Sequence, residues 1–164
     1  FMSSQIILIG GMSRSGKSTF AKKLPHQPRN AHLDLDTFTK PQRELPQVRD
    51  RIDWESPDSI NWEKLLKAVE RHLDSKKYII VEGIFAFCHK KLNQMANRTI
   101  YLELNQSEFK KRRKLETRWG KEPNWYLDHV WQQHQVWKNP HNLNVNFCNS
   151  LDQHLINEVI SSII

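Results

Sequence analysis

The stretch "IILIGGMSRSGKSTF", residues 6 to 20, limits what this chain can fold into more than any other feature. An apolar run passes through a glycine-bearing turn straight into helix-forming residues, so a buried strand, a tight loop and a helix must follow one another without a break. Gly11, Gly16, Lys17 and Ser18 satisfy G-x-x-x-x-G-K-[ST]. Each position has a mechanical reason. Glycines let backbone N–H groups close round an anion, Lys17 supplies a mobile cation for outer phosphates, and Ser18 offers a hydroxyl to Mg2+. A random chain of this length would match on the order of 1% of the time. The loop from Gly11 to Thr19, with Ser13 and Ser15 inside it, is therefore expected to cradle the phosphates of a nucleotide.

The rest of the chain alternates strand and helix signals. "QIILIG", "AHLDLD", "YIIVEG", "TIYLEL" and "LNVNFCN" read as strands, and "KSTFAKKL", residues 60 to 74, "SEFKKRRKLETR", "NWYLDHVWQQHQVWK" and the closing "LDQHLINEVISSII" read as helices. Ser107 is expected to open the basic helix, and Ser150 with Gln153 to cap the last one. This order predicts an α/β P-loop NTPase fold, an open parallel sheet with helices on both faces. Residues 37–59 carry Pro41, Pro46 and Pro57. A connection of that length inside a compact domain is read as functional, here as a substrate-binding insertion.

With 164 residues and 38% hydrophobic content, one domain spanning 1–164 is sufficient. No 18-residue apolar run occurs, and the start lacks a basic-then-apolar layout, so a cytoplasmic protein without a membrane span is expected. Cys88 and Cys148 show no CxxC spacing and read as reduced core residues. The formal net charge of +7 suits either nucleic acid or small anionic ligands. Much of it lies in "KKRRK", residues 110 to 114, without interleaved stacking aromatics. That pattern fits a solvated helix face or phosphate contact better than a nucleic-acid stripe.

A phosphate loop does not by itself distinguish a kinase from a GTPase or a regulatory ATPase. The acids discriminate. Asp34 and Asp36 lie where the second strand should end, and Glu82 ends "IIVE"; in a doubly wound sheet such strand ends converge beside the loop. A carboxylate there can take a proton from an attacking hydroxyl or hold Mg2+. Alternation of side chains along a strand makes Asp36 and Asp34 unequal candidates, and Asp36 is preferred. His129, His134 and His141 are not spaced as a metal site and read as structural or surface residues.

With "GGMSRSGKST", "LDTF", "WESPDS", "IIVEG" and "KKRRKLETR" in this order, the chain resembles the uridine kinase and nicotinamide riboside kinase group of P-loop small-molecule kinases. "WYLDHVWQQHQVWK" looks most like the riboside kinases. The resemblance implies ATP and Mg2+ as cofactors, a base and substrate clamp at Asp36, and a metal-side acid at Glu82 beside Ser18. It implies an aromatic and an acid enclosing the ribosyl acceptor, here Trp54 and Glu55. Glu55 stands where the family has aspartate, one methylene longer, which leaves the acceptor open. The basic helix falls on the family's lid, around 107–122, with Arg113 and Arg118 over the phosphates and Trp119 near an aromatic that stacks on the base. Arginine suits a lid because its planar fork binds two phosphate oxygens as charge builds.

The reading that follows is a kinase that phosphorylates the 5'-hydroxyl of a small ribosyl substrate, most naturally nicotinamide riboside. Uridine, cytidine or another small hydroxyl compound is the alternative acceptor. A nucleotide-dependent nucleic-acid-binding or regulatory module is the alternative of another class.

Overall fold

The computed structural model describes residues 3–116, 118 and 120–163. In chain order these form β1 (Gln5–Gly11), α1 (Lys17–Lys22), β2 (Asn30–Asp34), a short hairpin of β3 (Gln47–Val48) and β4 (Arg51–Ile52), and α2 (Trp62–His72). Then follow β5 (Tyr78–Glu82), α3 (Lys90–Met95), β6 (Arg98–Glu103), α4 (Gln106–Leu115), α5 (Asn124–Trp137), β7 (Asn146–Asn149) and α6 (Gln153–Ser162). Five of the strands make one sheet in the order β2-β5-β1-β6-β7, and every pairing in it is parallel. The predicted open parallel sheet is thus the observed one.

The two-residue period of β1 divides the core. Ile6 and Leu8 enter one apolar cluster, with Leu65, Ala68 and Val69 of α2 and Leu92 of α3. Ile7 and Ile9 enter the other, with Phe20 and Ala21 of α1 and Ile156 of α6. Helices therefore cover both faces, and each fully buried Leu or Ile contributes roughly 1.5–3 kcal/mol. A third cluster joins Met12 of the loop to Leu104, Phe109 of α4, and Tyr126 and Val130 of α5. It seats α4 and α5 beside the loop.

Several expected boundaries shift for local reasons. β2 stops at Asp34 because the Asp34 carboxylate accepts from the Asp36 amide at 2.9 Å and caps a single 3-10 turn, Leu35–Phe38. Asp36 therefore sits on that turn and not on the strand. Asn105, not Ser107, caps α4, accepting from the Glu108 amide at 2.8 Å. Asp152 caps α6 through the Leu155 amide at 3.0 Å, while the Ser150 hydroxyl is buried without a partner, so the predicted capping box does not form. Helix α3 was not anticipated.

Candidate active site

The register of the sheet assembles the site. Asp34, Glu82 and Ile9 lie side by side on β2, β5 and β1, so three strand ends finish together beside the loop that β1 runs into. Two glycines permit the loop's path. Gly16 has φ 94°, and a Cβ on Gly11 would lie 2.5 Å from Ser15 Oγ and 2.9 Å from the Leu102 carbonyl.

A cleft of about 1400 Å³ opens over these strand ends. Ser13, Gly16, Lys17, Ser18 and Thr19 line it from the loop, Asp36 from the turn after β2, Glu82 from the end of β5, Trp54 and Glu55 from the insertion, and Arg113 and Arg118 from α4 and the residues after it. The cation Lys17 and the acids Asp36, Glu55 and Glu82, which the sequence offers as candidates, thus share one cavity. Gly11 and Ser15 do not line it. Ser15 is buried with its hydroxyl unpartnered beneath the loop, where it turns toward Gly11 instead of the cleft. Trp119 lies outside the described residues.

Lys17 Nζ donates to the Met12 carbonyl at 2.6 Å. Burial lowers its pKa, while Glu82, Asp36, Asp34 and Glu55 pull it back upward. Ser18 Oγ donates to Glu82 Oε1 at 2.5 Å, and His32 Nε2 lies 3.1 Å from the same oxygen. Burial pushes the Glu82 carboxyl up, but the bonds from His32 and Ser18 and the charge of Lys17 outweigh it and hold Glu82 below its usual value. A hydroxyl and an ionised carboxylate give an oxygen-only donor set, which fits Mg2+. Asp36 is raised by enclosure in the cleft and by Asp34, against the pull of Lys17. Such a carboxylate is a better proton acceptor than an unperturbed one.

The end of the cleft away from the loop is built by the insertion and the start of α5. Arg49 stacks over Trp125 at 4.2 Å and Arg51 over Tyr126 at 4.9 Å, and His129 Nε2 meets Asp53 Oδ1 at 3.1 Å. These contacts fix the segment that carries Trp54, whose ring is 43% exposed, and Glu55, which is 5% exposed. Burial drives the Glu55 carboxyl up to about 7; Arg113 opposes this, and Asp53, Glu122 and Asp36 add to it. His129 is engaged by Asp53 and His134 by Tyr101, and among the described residues no group of three or more His, Cys, Asp and Glu is placed to hold a metal ion.

Helix α4 and its C-cap Glu116 are tied to the loop at three points. Arg112 Nη1 donates to the Arg14 carbonyl at 2.7 Å, Arg113 Nη1 to Ser13 Oγ at 2.9 Å, and Arg14 Nη1 to Glu116 Oε2 at 2.7 Å. Arg118 Nε lies 3.1 Å from Glu116 Oε1. The "KKRRK" charge is in large part paired within the fold: Lys110 with Asp128 at 2.6 Å, Arg112 with Glu108 at 2.9 Å and Arg113 with Glu122 at 2.6 Å. Sequence reasoning missed His32, Glu116, Glu122 and Tyr126. Their roles arise from tertiary proximity, and no local spacing announces them.

No protein-family model matches the chain. Human nicotinamide riboside kinase 1 is 28% identical over 148 residues, spanning 79% of this chain and 74% of that protein. The mouse nicotinamide riboside kinase 1 is 28% identical over 144 residues, spanning 77% and 74%. Among solved structures, a gluconokinase from Sinorhizobium meliloti 1021 superposes with TM-score 0.60 at 16% identity over 97% of this chain and 91% of that one. A possible uridine kinase from Bacillus stearothermophilus superposes with TM-score 0.53 at 16% identity over 90% of each chain. The structural likenesses give the fold, and the sequence likenesses give the relatives. The chain is similar to nicotinamide riboside kinases and has the fold of P-loop kinases, a likeness that supports an ATP-dependent phosphotransferase. No helix among the described residues is long and apolar enough to cross a membrane.

Proposed function

We propose that this protein transfers the γ-phosphoryl group of ATP to the 5'-hydroxyl of a small ribosyl substrate, nicotinamide riboside before others. The observation that carries the reading is the shared cleft: Lys17, the Ser18–Glu82 pair, Asp36, and Trp54 with Glu55 line one cavity in a chain similar to nicotinamide riboside kinases.

The division of labour follows from position and charge. Loop N–H groups and Lys17 bind the phosphates, with Lys17 exchanging the Met12 carbonyl for a phosphate oxygen. Ser18 and Glu82 would hold Mg2+, which would supply positive charge to the phosphates of the nucleotide. Asp36 accepts the proton of the attacking hydroxyl as its oxygen bonds to the γ-phosphorus and the bond to the β-phosphate oxygen breaks, releasing ADP. Arg118 approaches the transferring group from the lid, where a planar guanidinium stabilises equatorial oxygens. Glu55 takes vicinal ribose hydroxyls, and Trp54 supplies an electron-rich face for a pyridinium, worth about 0.5–2 kcal/mol. Most of the rate gain is then positioning and charge stabilisation.

Glu55 also supports a second reading. A longer, largely buried acid in the acceptor end suits a uridine, a cytidine or another polyhydroxyl compound as well. ADP formation by the purified protein with nicotinamide riboside, uridine and cytidine, each with Mg2+ and with EDTA, tests the proposal. Acceptor-dependent and Mg2+-dependent ADP is expected. ADP formation indifferent to every acceptor, or stimulated instead by nucleic acid, would overturn it.

A further inference from the structure

Both donors to Glu82 fall on one oxygen. Ser18 Oγ and the His32 ring nitrogen Nε2 meet Oε1 at 2.5 and 3.1 Å, so Oε2 takes part in neither contact. The approach of His32 is set by the sheet: it sits on the edge strand β2 opposite Ile80 of β5, two residues before Glu82. The Glu82 side chain is 3% exposed and the His32 side chain 32%, so a buried carboxylate meets a partly exposed imidazole. A metal-side carboxylate performs best when a neighbouring donor fixes its rotamer, because a rotating carboxylate loses entropy each time it engages the ion.

We infer that His32 is a positioning residue for Glu82: its Nε2–H donates to Oε1 and holds the carboxylate so that Oε2 is presented to the Mg2+ that accompanies the nucleotide. This rests on the proposed metal-side role of Glu82. Ser18 restrains the same oxygen from the loop, and His32 restrains it from the sheet. Two restraints from opposite directions define an orientation that one does not.

The test uses the full chain and three variants, His32→Leu, His32→Gln and Glu82→Gln. Calorimetric titration of ADP is run with EDTA and across a Mg2+ series, and unfolding midpoints report whether each variant is folded. For His32→Leu, the Mg2+ concentration that half-restores tight ADP binding should rise about threefold to tenfold or more, with ADP affinity in EDTA unchanged. His32→Gln keeps a side-chain donor and should recover most of the loss. Glu82→Gln should raise the Mg2+ requirement at least as far. If Glu82→Gln leaves the Mg2+ dependence unchanged, the underlying reading of Glu82 fails. If Glu82→Gln raises it and His32→Leu does not, the role of His32 is overturned on its own. A Gln variant as impaired as the Leu variant would overturn the hydrogen bond as the cause.

Discussion

Arg113 grips Glu122 with both edges of its guanidinium, Nε to Oε1 at 2.6 Å and Nη2 to Oε2 at 3.1 Å, and each side chain is 7% exposed. The remaining fork atom Nη1 reaches Ser13 in the phosphate loop. One buried ion pair thus joins the lid helix, the segment before α5 and the loop.

Breaking that pair from one side leaves a charge in a site that no longer answers it. Glu122→Gln should therefore lower stability by about 3–5 kcal/mol, read as a shift of the urea midpoint. Arg113→Lys should not rescue a bidentate contact and should cost at least about 1 kcal/mol. A midpoint within error of the parent for both would reduce the pair to a surface contact.

Glu55 gives the chain a pH-dependent stability. Its carboxyl stands near 7 in the fold against 4.5 for the ordinary value, so the folded state holds a proton that the unfolded state has released between those limits. Stability from this group is complete below pH 4.5 and lost as pH rises through 7, by on the order of 1–3 kcal/mol. Glu55→Gln should flatten that limb of the stability curve. His134, driven down to about 3 by burial, contributes the opposite slope in both proteins, its stabilisation being lost as pH falls from 6.5 toward 3. The acceptor's KM should fall through pH 7 in the parent, as Glu55 ionises and accepts both hydroxyls, and stay level in the variant.

Tyr101 and His134 form a buried polar contact, hydroxyl to Nε2, beneath α5. Tyr101→Phe removes the donor and leaves the imidazole nitrogen without it, which should cost about 1–3 kcal/mol in chemical unfolding while leaving the acceptor's KM unchanged. A raised KM at unchanged stability would move this pair from packing into the site.

Legibility followed the range of the interactions. The loop, the two-residue alternation of β1 and β5, and the acids at strand ends are local or periodic features, so "GGMSRSGKS" and "IIVE" disclosed them directly. The place of Asp36 is not legible in the sequence, because the cap that Asp34 makes turns the chain off the strand before Asp36. His32 is not legible in the sequence: it is 50 residues from Glu82, and the parallel pairing of β2 with β5, with His32 opposite Ile80 and Asp34 opposite Glu82, brings them together. The caps at Asn105 and Asp152 show the same limit at short range, since several adjacent residues can cap a helix and packing selects among them.

Asp36→Asn separates base from binder. Removing the carboxylate should lower kcat by roughly 10²–10⁴ with nucleotide affinity retained, because the role proposed for Asp36 lies on the acceptor side. Lost nucleotide affinity at near-parent kcat would make it a metal or structural residue.

Competition between acceptors decides whether the cleft phosphorylates a riboside and which one. Equimolar nicotinamide riboside and uridine are offered with ATP and Mg2+ in one reaction, their 2'-deoxy analogues in a second, and the monophosphates are counted by mass spectrometry. The account predicts nicotinamide mononucleotide in excess over uridine monophosphate, and each riboside ahead of its deoxy analogue by at least about tenfold, since Glu55 would otherwise face a missing hydroxyl. Monophosphate from neither riboside, in a protein that still binds ATP, would contradict it.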